Sequence, residues 1–290
     1  MNIICNDQIK SIQLNQLKML STSCDKADGG LPSIYWHLLV KKRLHNSNVF
    51  YYNGKQLIGF LSVYFFYQDT CEITLLVHPQ HRHHNVARQL LKNILFSLTV
   101  KQMQRVIFSM PIEINTSWLT NRGFIYKHRE CHMERIGYKA LPVSNTVLQI
   151  RTATAKDIPW LKEAEHACFP GTENNPDYIS ILNDKVYTLL IATLNDQLVG
   201  KAQLRWHEKE AFLSDVAVLP EFQRRGFGST ILVHCINHAH IQEKAKLILD
   251  VLATNIHAVH LYSQYGFKIT QQHDYWYVML SQLTTMTFNS

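Results

Sequence analysis

The order of hydrophobic and polar residues divides the chain into two similar series of helices and strands. Two segments predict amphipathic helices packed on a sheet, because their apolar residues recur at helical spacing. These residues are Val86, Leu90, Ile94 and Leu98, and Ile231, Cys235 and Ala239. The stretches NGKQLIGFLSV (53–63) and NDQLVGKAQL (195–204) each indicate a tight turn between two strands. The pattern in each half predicts, in order, one strand, two helices, three strands, a helix, a strand, a helix and two strands. This order is typical of an α/β domain with a mixed sheet.

Four landmarks occur in both series in the same order, which indicates an internal duplication. Three pairs of landmarks are 141 residues apart and the fourth pair is 143 residues apart. The pairs are Gly59 with Gly200, Pro79 with Pro220, Ala87 with Gly228, and Gly123-Phe124 with Gly266-Phe267. A segment rich in turn-forming residues, GYKALPVSNTV (137–147), lies between the copies. We therefore predict a domain at 1–137, a linker at 138–147 and a second domain at 148–290.

Length and composition favour two folded domains. The chain has 290 residues, of which 46% are hydrophobic and 18% are charged, whereas a single domain usually has roughly 100 to 200 residues. No apolar run reaches the roughly 20 residues of a membrane-spanning helix, and the amino terminus lacks the apolar core of a signal peptide. The six cysteines are scattered and form no CxxC pair. These features predict a soluble cytoplasmic protein with reduced cysteines and no membrane partner.

The positive charge is concentrated in the first half. Net charge is +7 overall, but residues 1–145 carry +9 and residues 146–290 carry −2. Such asymmetry is compatible with an anionic partner such as nucleic acid or the ribosome. A basic surface without a specific partner is the alternative, and the absence of a basic motif interleaved with aromatic residues favours it.

A glycine-containing turn in the second half is the main candidate for a ligand site. The apolar strand segment 216–218 leads into the turn QRRGFGS (223–229) and then into a helix. Helix N-termini present unpaired amides with a partial positive charge, and Gly226 and Gly228 would let the backbone approach a bound pyrophosphate closely. The two arginines of the turn add charge that attracts phosphate. A plain tight turn is the alternative explanation for the glycines.

The turn also resembles a known family. QRRGFG matches the signature of the GCN5-related N-acetyltransferases (GNAT), which is Gln or Arg, two variable residues, Gly, one variable residue, then Gly or Ala. LDVLATNIHAVHLYSQYGF (249–267) resembles the strand and helix that follow in this family. The resemblance covers 148–290 and is greatest to the bacterial ribosomal-protein alanine N-acetyltransferases. It implies an α/β protein of two tandem GNAT-like domains, each with a mixed, mostly antiparallel sheet flanked by helices.

The resemblance further implies that acetyl-coenzyme A is the cosubstrate and that no metal is needed. Main-chain groups of 216–218 would hold the pantetheine arm, residues 224–229 would surround the pyrophosphate, and Asn255 would bind the pantetheine from the other side. The implied coenzyme-binding residues are Val216, Ala217, Val218, Gln223, Arg224, Arg225, Gly226, Phe227, Gly228, Ser229 and Asn255. Asn255 can also cap the helix that it precedes, as Thr154 can at an earlier helix.

The resemblance implies direct acetyl transfer to a primary amine, with no covalent acyl-enzyme. Tyr262 matches the family's general acid, which protonates the departing thiolate; reference pKa values of about 8.5 for a thiol and 10 for a phenol make this transfer plausible. Asp250 lies where the alanine acetyltransferases have a glutamate that deprotonates the incoming ammonium. Aspartate is one methylene shorter, and Asp215 is a competing base. The Val218 amide would stabilise the oxyanion.

The first copy departs from this pattern and is expected to be degenerate. Asn85 replaces the first loop glycine, Leu119 stands at the position of the general acid, and Ile107 stands near that of the base. Asparagine tolerates positive φ, so the turn can survive even where coenzyme binding is lost. Three histidines of this loop lack a cysteine or carboxylate at ligand spacing, so we expect them to be solvated rather than metal-binding. They are His81, His83 and His84.

The acceptor is only partly indicated by the sequence. The segment HACFPGTENNPDYI resembles the family's substrate loop, and we expect the loop Phe169 to Tyr178 and the aromatic strand 275–277 to line the acceptor site. The acceptor would be a protein or peptide amino terminus or a small amine. A second hypothesis makes the chain an acetyl-coenzyme A sensor or scaffold whose basic first half docks on nucleic acid or the ribosome. The presence of both Tyr262 and Asn255 favours the enzyme.

Overall fold

A computed structural model describes residues 1–43, 46–112, 114, 116–137, 139–142, 147–169 and 176–288. The first copy contains β1 (Asn2–Asn6), α1 (Ser11–Asp28), α2 (Trp36–Leu39), β2 (Asn48–Asn53), β3 (Gln56–Tyr64), β4 (Thr70–Val77), α3 (Val86–Val100), β5 (Arg105–Pro111), α4 (Ser117–Thr120) and β6 (Ile125–Ile136). The second copy contains β7 (Gln149–Thr152), α5 (Ile158–Cys168), α6 (Tyr178–Asn183), β8 (Tyr187–Leu194), β9 (Gln197–Trp206), β10 (Glu210–Val218), α7 (Phe227–Ile241), β11 (Lys246–Leu252), α8 (Ile256–Gln264), β12 (Lys268–Met279) and α9 (Leu280–Phe288).

Each copy closes with one long strand, so the prediction of two short closing strands is wrong. Both β6 and β12 run for 12 residues. Neither strand contains a glycine or a proline, so nothing in the local sequence interrupts the extended backbone.

The chain packs into two compact units, and each unit contains part of the closing strand of the other copy. Unit 1 comprises Met1–Glu130 and the residues from Gln271 onward, and unit 2 comprises Cys131–Thr270. In unit 1, β12 pairs antiparallel with β5, from His273 opposite Pro111 to Met279 opposite Arg105. In unit 2, the second half of β6 lies beside β11. The ranges 1–137 and 148–290 stay a prediction for the two copies of the sequence. Each packed unit includes part of the closing strand of the other copy.

Alternating side chains fix the place of each closing strand. Trp276 and Val278 of β12 are buried in the core of unit 1. Cys131 and Met133 of β6 are buried in the core of unit 2, which α7 and α8 cover. Because successive residues of a strand point to opposite faces, the polar residue between them, His132, faces the other side of the unit 2 sheet.

Both sheets are mixed and mostly antiparallel, as predicted. Unit 1 has the strand order β1-β2-β3-β4-β5-β12, and unit 2 has the order β6-β11-β10-β9-β8-β7. The β4–β5 and β10–β11 pairs are parallel. The β1–β2, β2–β3, β3–β4, β5–β12, β7–β8, β8–β9 and β9–β10 pairs are antiparallel. Helices cover both faces: α3 and α1 lie on opposite sides of the unit 1 sheet, and α7 and α5 on opposite sides of the unit 2 sheet.

The repeated glycine of β9 has a steric role. A Cβ added at Gly200 would lie 2.2 Å from the backbone oxygen of Ala217 and 3.1 Å from Cδ1 of Ile231. The backbone of β10 would have to move, so we expect Gly200→Ala to lower the free energy of unfolding by at least about 1 to 3 kcal/mol, the usual range for overpacking. Urea unfolding measures this loss. Gly228→Ala is the matched control, since its added Cβ would make only ordinary contacts of 3.7 and 3.8 Å; equal midpoints for the two variants would contradict the prediction.

Candidate active site

A bulge in β10 separates the end of this strand from β11. The register with β9 shifts around Asp215, which adopts a left-handed φ of 52°. The parallel ladder with β11 has three residue pairs, Glu210–Phe212 with Lys246–Ile248, although β10 continues to Val218 and β11 to Leu252. Beyond the ladder the two strands, which are described throughout, no longer pair with each other. Their facing main-chain groups therefore border an opening that can accept an extended polar ligand.

The turn after β10 leaves the N-terminus of α7 open. Gln223 donates a hydrogen bond from Nε2 to the carbonyl oxygen of Val218 at 3.0 Å, so its side chain ties the turn to the strand. Arg224 and Gly226 adopt left-handed φ values of 60° and 80°. Gly226 is the N-cap residue of α7 and supplies no side-chain bond to the first amides of the helix. No heavy atom of the described chain lies within 4 Å of a Cβ added at Gly226. The uncapped amides form a site suited to an anion.

The two arginines of this turn leave their charge available. Arg224 and Arg225 are exposed, and neither forms an ion pair with any residue that the structure describes. The guanidinium carbon of Arg225 lies 5.6 Å from the ring centroid of Phe222. Both charges can therefore add to the partial positive charge of the helix N-terminus.

The corresponding turn of the first copy has the same backbone conformation but lacks the loop glycine and the unpaired positive charge. His83 and Asn85 have left-handed φ values of 63° and 61°, which confirms that asparagine preserves the turn. Arg82 donates a hydrogen bond to the carbonyl oxygen of Val77 at 3.3 Å. Gln223 makes the equivalent bond in the second copy, to the carbonyl oxygen of Val218. The guanidinium of Arg82 also binds both carboxylate oxygens of Asp28 at 2.7 Å, which offsets its charge. A cleft of about 370 Å³ remains beside this turn, but the turn lacks the glycine of the second copy and the charge of Arg82 is offset.

Tyr262 of α8 is a buried phenol. Its side chain is 8% exposed, and its ring lies 5.8 Å from that of Phe267. The hydroxyl makes no hydrogen bond within the described part of the chain. Burial, with a smaller contribution from the nearby thiol of Cys235, raises the pKa of Tyr262 to about 12. The group is therefore a neutral phenol at physiological pH, and its proton is available to a ligand.

Asn255 is the N-cap residue of α8, as predicted. Its Oδ1 accepts a hydrogen bond from the backbone amide of Ala258 at 3.1 Å. The residue is exposed, and its Nδ2 group donates to no residue in the described ranges. One end of the side chain thus holds the helix while the other end can bind a ligand. Thr154 is likewise a cap, at the 3₁₀ turn 155–157.

Asp250 is paired with a histidine that the sequence did not indicate. Nδ1 of His132 donates to Oδ1 of Asp250 at 2.7 Å, and Nε2 of His132 lies 3.6 Å from the carboxylate of Glu134. Burial opposes the charged imidazolium, but the hydrogen bond and negative charge of Asp250, with the charge of Glu134, raise the pKa of His132 above its usual value of 6.5. Glu134 also binds Lys246 at 3.0 Å. Asp250 is therefore part of a charged network.

Asp215 lies beside a second polar cluster. Lys201, only 2% exposed, forms an ion pair with Glu165 and donates to the hydroxyl of Tyr178 at 3.0 Å. Burial alone would lower the pKa of Lys201, but the charge of Asp215 and the hydrogen bond to Glu165 raise it. Part of the Asp215 surface is exposed to solvent. Many protein atoms nevertheless surround its carboxyl group and displace water from it, and this partial desolvation raises the pKa of Asp215 above the usual range. The two candidate bases thus have different surroundings.

The predicted acceptor segments are only partly seen in unit 2. Of the loop from Phe169 to Tyr178, residues 170–175 lie outside the described residues, and its two ends lie close to Lys201. The aromatic strand 275–277 belongs to unit 1, and the strand segment beside β11 in unit 2 is Cys131–Ile136. The place of strand 275–277 in the acceptor site stays a prediction.

The described ranges contain neither a metal-ligand cluster nor a helix that could cross a membrane. Within the ranges that the structure covers, no three His, Cys, Asp or Glu side chains converge as metal ligands would. None of the helices in those ranges has the length and apolar character required to cross a bilayer.

Comparison with known proteins identifies the family. Residues 13–110 and 158–267 each match the sequence profile of the "Acetyltransferase (GNAT) family". The chain belongs to this family. The [Ribosomal protein bS18]-alanine N-acetyltransferase of Salmonella typhimurium is 32% identical over 126 residues, which are 43% of this chain and 81% of that protein. N-alpha-acetyltransferase 60 of Xenopus tropicalis is 29% identical over 142 residues, 41% of this chain and 57% of that protein. These matches confirm the expected family and enzyme class, an N-acetyltransferase.

Solved structures match the whole acetyltransferase chain. A GCN5-related N-acetyltransferase from Sphaerobacter thermophilus has a TM-score of 0.78 at 15% identity and covers 96% of both chains. A tandem GNAT protein from the clavulanic acid biosynthesis pathway has a TM-score of 0.67 at 12% identity and covers 96% of this chain and 98% of its own. At these identities the likeness shows the fold, and it confirms the tandem arrangement of the acetyltransferase.

Three polar residues of the candidate site were not found from the sequence. They are His132, Glu165 and Lys201. The charge of Lys201 within the apolar strand LVGKAQL was a usable signal, because a buried lysine needs a partner. The alternation CHME around His132 indicates that its side chain faces away from the core, but the sequence does not show that Asp250 lies opposite.

Proposed function

We propose that this acetyltransferase binds acetyl-coenzyme A in its second copy and transfers the acetyl group directly to a primary amine. The supporting observation is the opening between β10 and β11 next to the uncapped, arginine-flanked N-terminus of α7. Main-chain groups of 216–218 suit an extended pantetheine arm, and the amides and charges of 224–229 suit a pyrophosphate. Nδ2 of Asn255 supplies a donor on the opposite side of the opening.

Tyr262 supplies the proton for the departing thiolate in this proposal. A phenol pKa of about 12 exceeds the reference value of about 8.5 for a thiol, which would make full transfer unfavourable in water. Burial raises thiol pKa values as well, however, and that of Cys235 rises to about 12 in the core that also contains Tyr262. A thiolate formed in a desolvated site is therefore basic enough to accept this proton or a strong hydrogen bond. The Val218 amide would stabilise the oxyanion.

Asp250 is the better supported of the two bases. It borders the opening, two residues beyond the last pair of the β10–β11 ladder, and His132 fixes one of its oxygens. Asp215 stays the alternative, since its raised pKa also suits a base. Its proximity to the Lys201–Glu165 pair equally suits a role in holding that cluster.

A protein amino terminus is the acceptor that we favour. The relative in Salmonella is named for acetylating an alanine of ribosomal protein bS18. The face of unit 2 opposite α7 carries the carboxylates of Asp250, Glu134 and Asp215, which attract an ammonium group. Small amines are the alternative acceptors. A sensor, in contrast, would bind acetyl-coenzyme A without turning it over.

Thiol release from acetyl-coenzyme A tests the function. We expect the full chain to release thiol with a peptide that begins with a free alanine and not with the same peptide acetylated at its terminus; small primary amines complete the panel. Asp250→Asn and Asp215→Asn then identify the base, since loss of a general base lowers kcat by about 100-fold to 10,000-fold. Saturable coenzyme binding without thiol release for any acceptor would contradict the enzyme and favour the sensor. A greater loss of kcat in Asp215→Asn than in Asp250→Asn would reverse the assignment of the base.

A further inference from the structure

We propose that His132, which the closing strand of the first copy brings into unit 2, orients Asp250 toward the opening and makes the rate of proton transfer from the acceptor depend on pH. This inference rests on the proposed function. It gives the first copy a part in the reaction, because His132 precedes the predicted linker and completes the site of the second copy. The turn of the first copy itself has lost its glycine.

The geometry gives His132 the place of a positioning residue. Asp250 borders the opening, and His132 lies on the neighbouring strand β6, on the far side of Asp250 from β10. The 2.7 Å bond occupies Oδ1 of Asp250 and leaves Oδ2 without a hydrogen bond from any described residue. When a donor holds one carboxylate oxygen, the side chain is restricted to few rotamers, and the other oxygen can still accept a hydrogen bond or a proton. His132 therefore acts through Asp250 and does not touch the acceptor itself.

Several charges surround His132, and their sum favours the imidazolium. Asp250 of β11 lies on one side of the ring, and Glu134 of its own strand lies on the other side. Lys246 of β11 opposes the positive charge, and Arg205 of β9 interacts with Asp250. The positive charge of the imidazolium, next to the Asp250 carboxylate, opposes the arrival of a further proton there.

The proton step follows from this pairing. One N–H bond of the acceptor ammonium breaks, the proton forms an O–H bond at Oδ2 of Asp250, and the nitrogen lone pair forms a C–N bond to the thioester carbonyl. The C–S bond then breaks, and the coenzyme A thiolate leaves with the proton of Tyr262. The nitrogen loses its second proton to solvent, and solvent returns a proton to Tyr262. The proton leaves Asp250 for solvent after the transfer. While His132 is protonated, its positive charge opposes proton transfer to the neighbouring carboxylate; when His132 loses its proton, this opposition ends. The rate should therefore rise with pH as His132 titrates.

The pH dependence of kcat in the full chain tests the inference. At saturating alanine peptide and acetyl-coenzyme A, kcat reports groups of the bound complex. We expect the kcat of the parent to fall below a pKa above 6.5, by up to about 10-fold per pH unit. His132→Asn keeps a donor near Oδ1 but cannot titrate, so its ratio of kcat at pH 6 to kcat at pH 8 should exceed that of the parent. His132→Leu removes the donor and should lower kcat at every pH, by about 10-fold to 100-fold, below the full loss of a general base.

A histidine of the same strand is the matched control. His128 lies 3.1 Å from Glu130 but belongs to unit 1, so His128→Asn should keep the pH profile of the parent. A profile of His132→Asn identical to the parent's, or an unchanged kcat in His132→Leu, would overturn the inference.

A titration by nuclear magnetic resonance separates this inference from the proposed function. The imidazole signal that His132→Asn removes should titrate above pH 6.5 in the parent and at lower pH in Asp250→Asn. This measurement needs no acceptor. A parent enzyme without turnover contradicts the proposed function, whereas an imidazole that titrates alike in the parent and in Asp250→Asn contradicts the pairing alone.

Discussion

Tyr262→Phe is expected to lower kcat by about 100-fold to 10,000-fold, which corresponds to roughly 3 to 5.5 kcal/mol, while acetyl-coenzyme A binds nearly as before. In the proposed mechanism the hydroxyl acts only as the thiolate departs, so its loss would raise the barrier and leave the ground state almost unchanged. Turnover with an identified acceptor and calorimetric titration of the coenzyme on the same preparation measure the two quantities.

Stability provides the control for Tyr262→Phe. The hydroxyl makes no hydrogen bond in the described part of the chain, so the free energy of unfolding should change by less than about 0.5 kcal/mol and the melting temperature by less than about 2 °C. An unchanged kcat at saturating acceptor would remove Tyr262 from the mechanism. A large fall in melting temperature together with a normal kcat of the folded fraction would assign it a structural role.

Gly226→Glu is expected to abolish coenzyme binding, with a loss of affinity of more than about 100-fold, because like charges brought together cost several kcal/mol. The new carboxylate would lie at the uncapped N-terminus of α7, where an anion is expected. Open space at this position means that the left-handed backbone is the only strain, about 1 to 2 kcal/mol, so the protein should remain folded. Calorimetric titration and circular dichroism measure both outcomes.

Two variants separate charge from backbone in this experiment. Gly226→Asn introduces the residue that keeps φ at 61° in the first copy, Asn85, and should weaken binding less than glutamate does. Asn85→Glu places the same charge in the first copy and should leave the affinity and the stoichiometry of one coenzyme per chain unchanged. Loss of binding in Asn85→Glu would show that the first copy binds coenzyme, and native affinity in Gly226→Glu would make the 223–229 segment a mere turn.

The features of the fold that depend on neighbours in sequence were predictable. The helix over Phe227–Ile241 follows from its apolar spacing, and Asn255 caps α8 because its side chain reaches amides of the next turn. The two left-handed positions, at Gly226 and at Asn85, could be expected since these residue types tolerate positive φ. The predicted number of strands at the end of each copy was wrong, because nothing in the local sequence distinguishes two short strands from one long strand.

The features of the site divide in the same way. The turn 223–229 and Tyr262 could be named because each belongs to a motif of fixed spacing. The pairing of Asp250 with His132 could not be named, since the two residues lie 118 positions apart and no periodicity connects them. The cluster of Lys201 with Glu165 was missed for the same reason, although a charged residue within an apolar strand is itself a signal.

The sequence by itself determined that the protein contains two copies of one α/β pattern, that the second copy retains a phosphate-type turn, and that the first copy has replaced its glycine. These properties depend on residue type and short-range spacing, which fix backbone conformation and the buried face of each element. Only the tertiary structure decided which copy each closing strand completes. Cys131 and Met133 are as able to be buried as Trp276 and Val278, and the pairing partner of a strand is set by packing against distant residues rather than by its own sequence. That choice places His132 beside Asp250 in unit 2 and Tyr275 in unit 1.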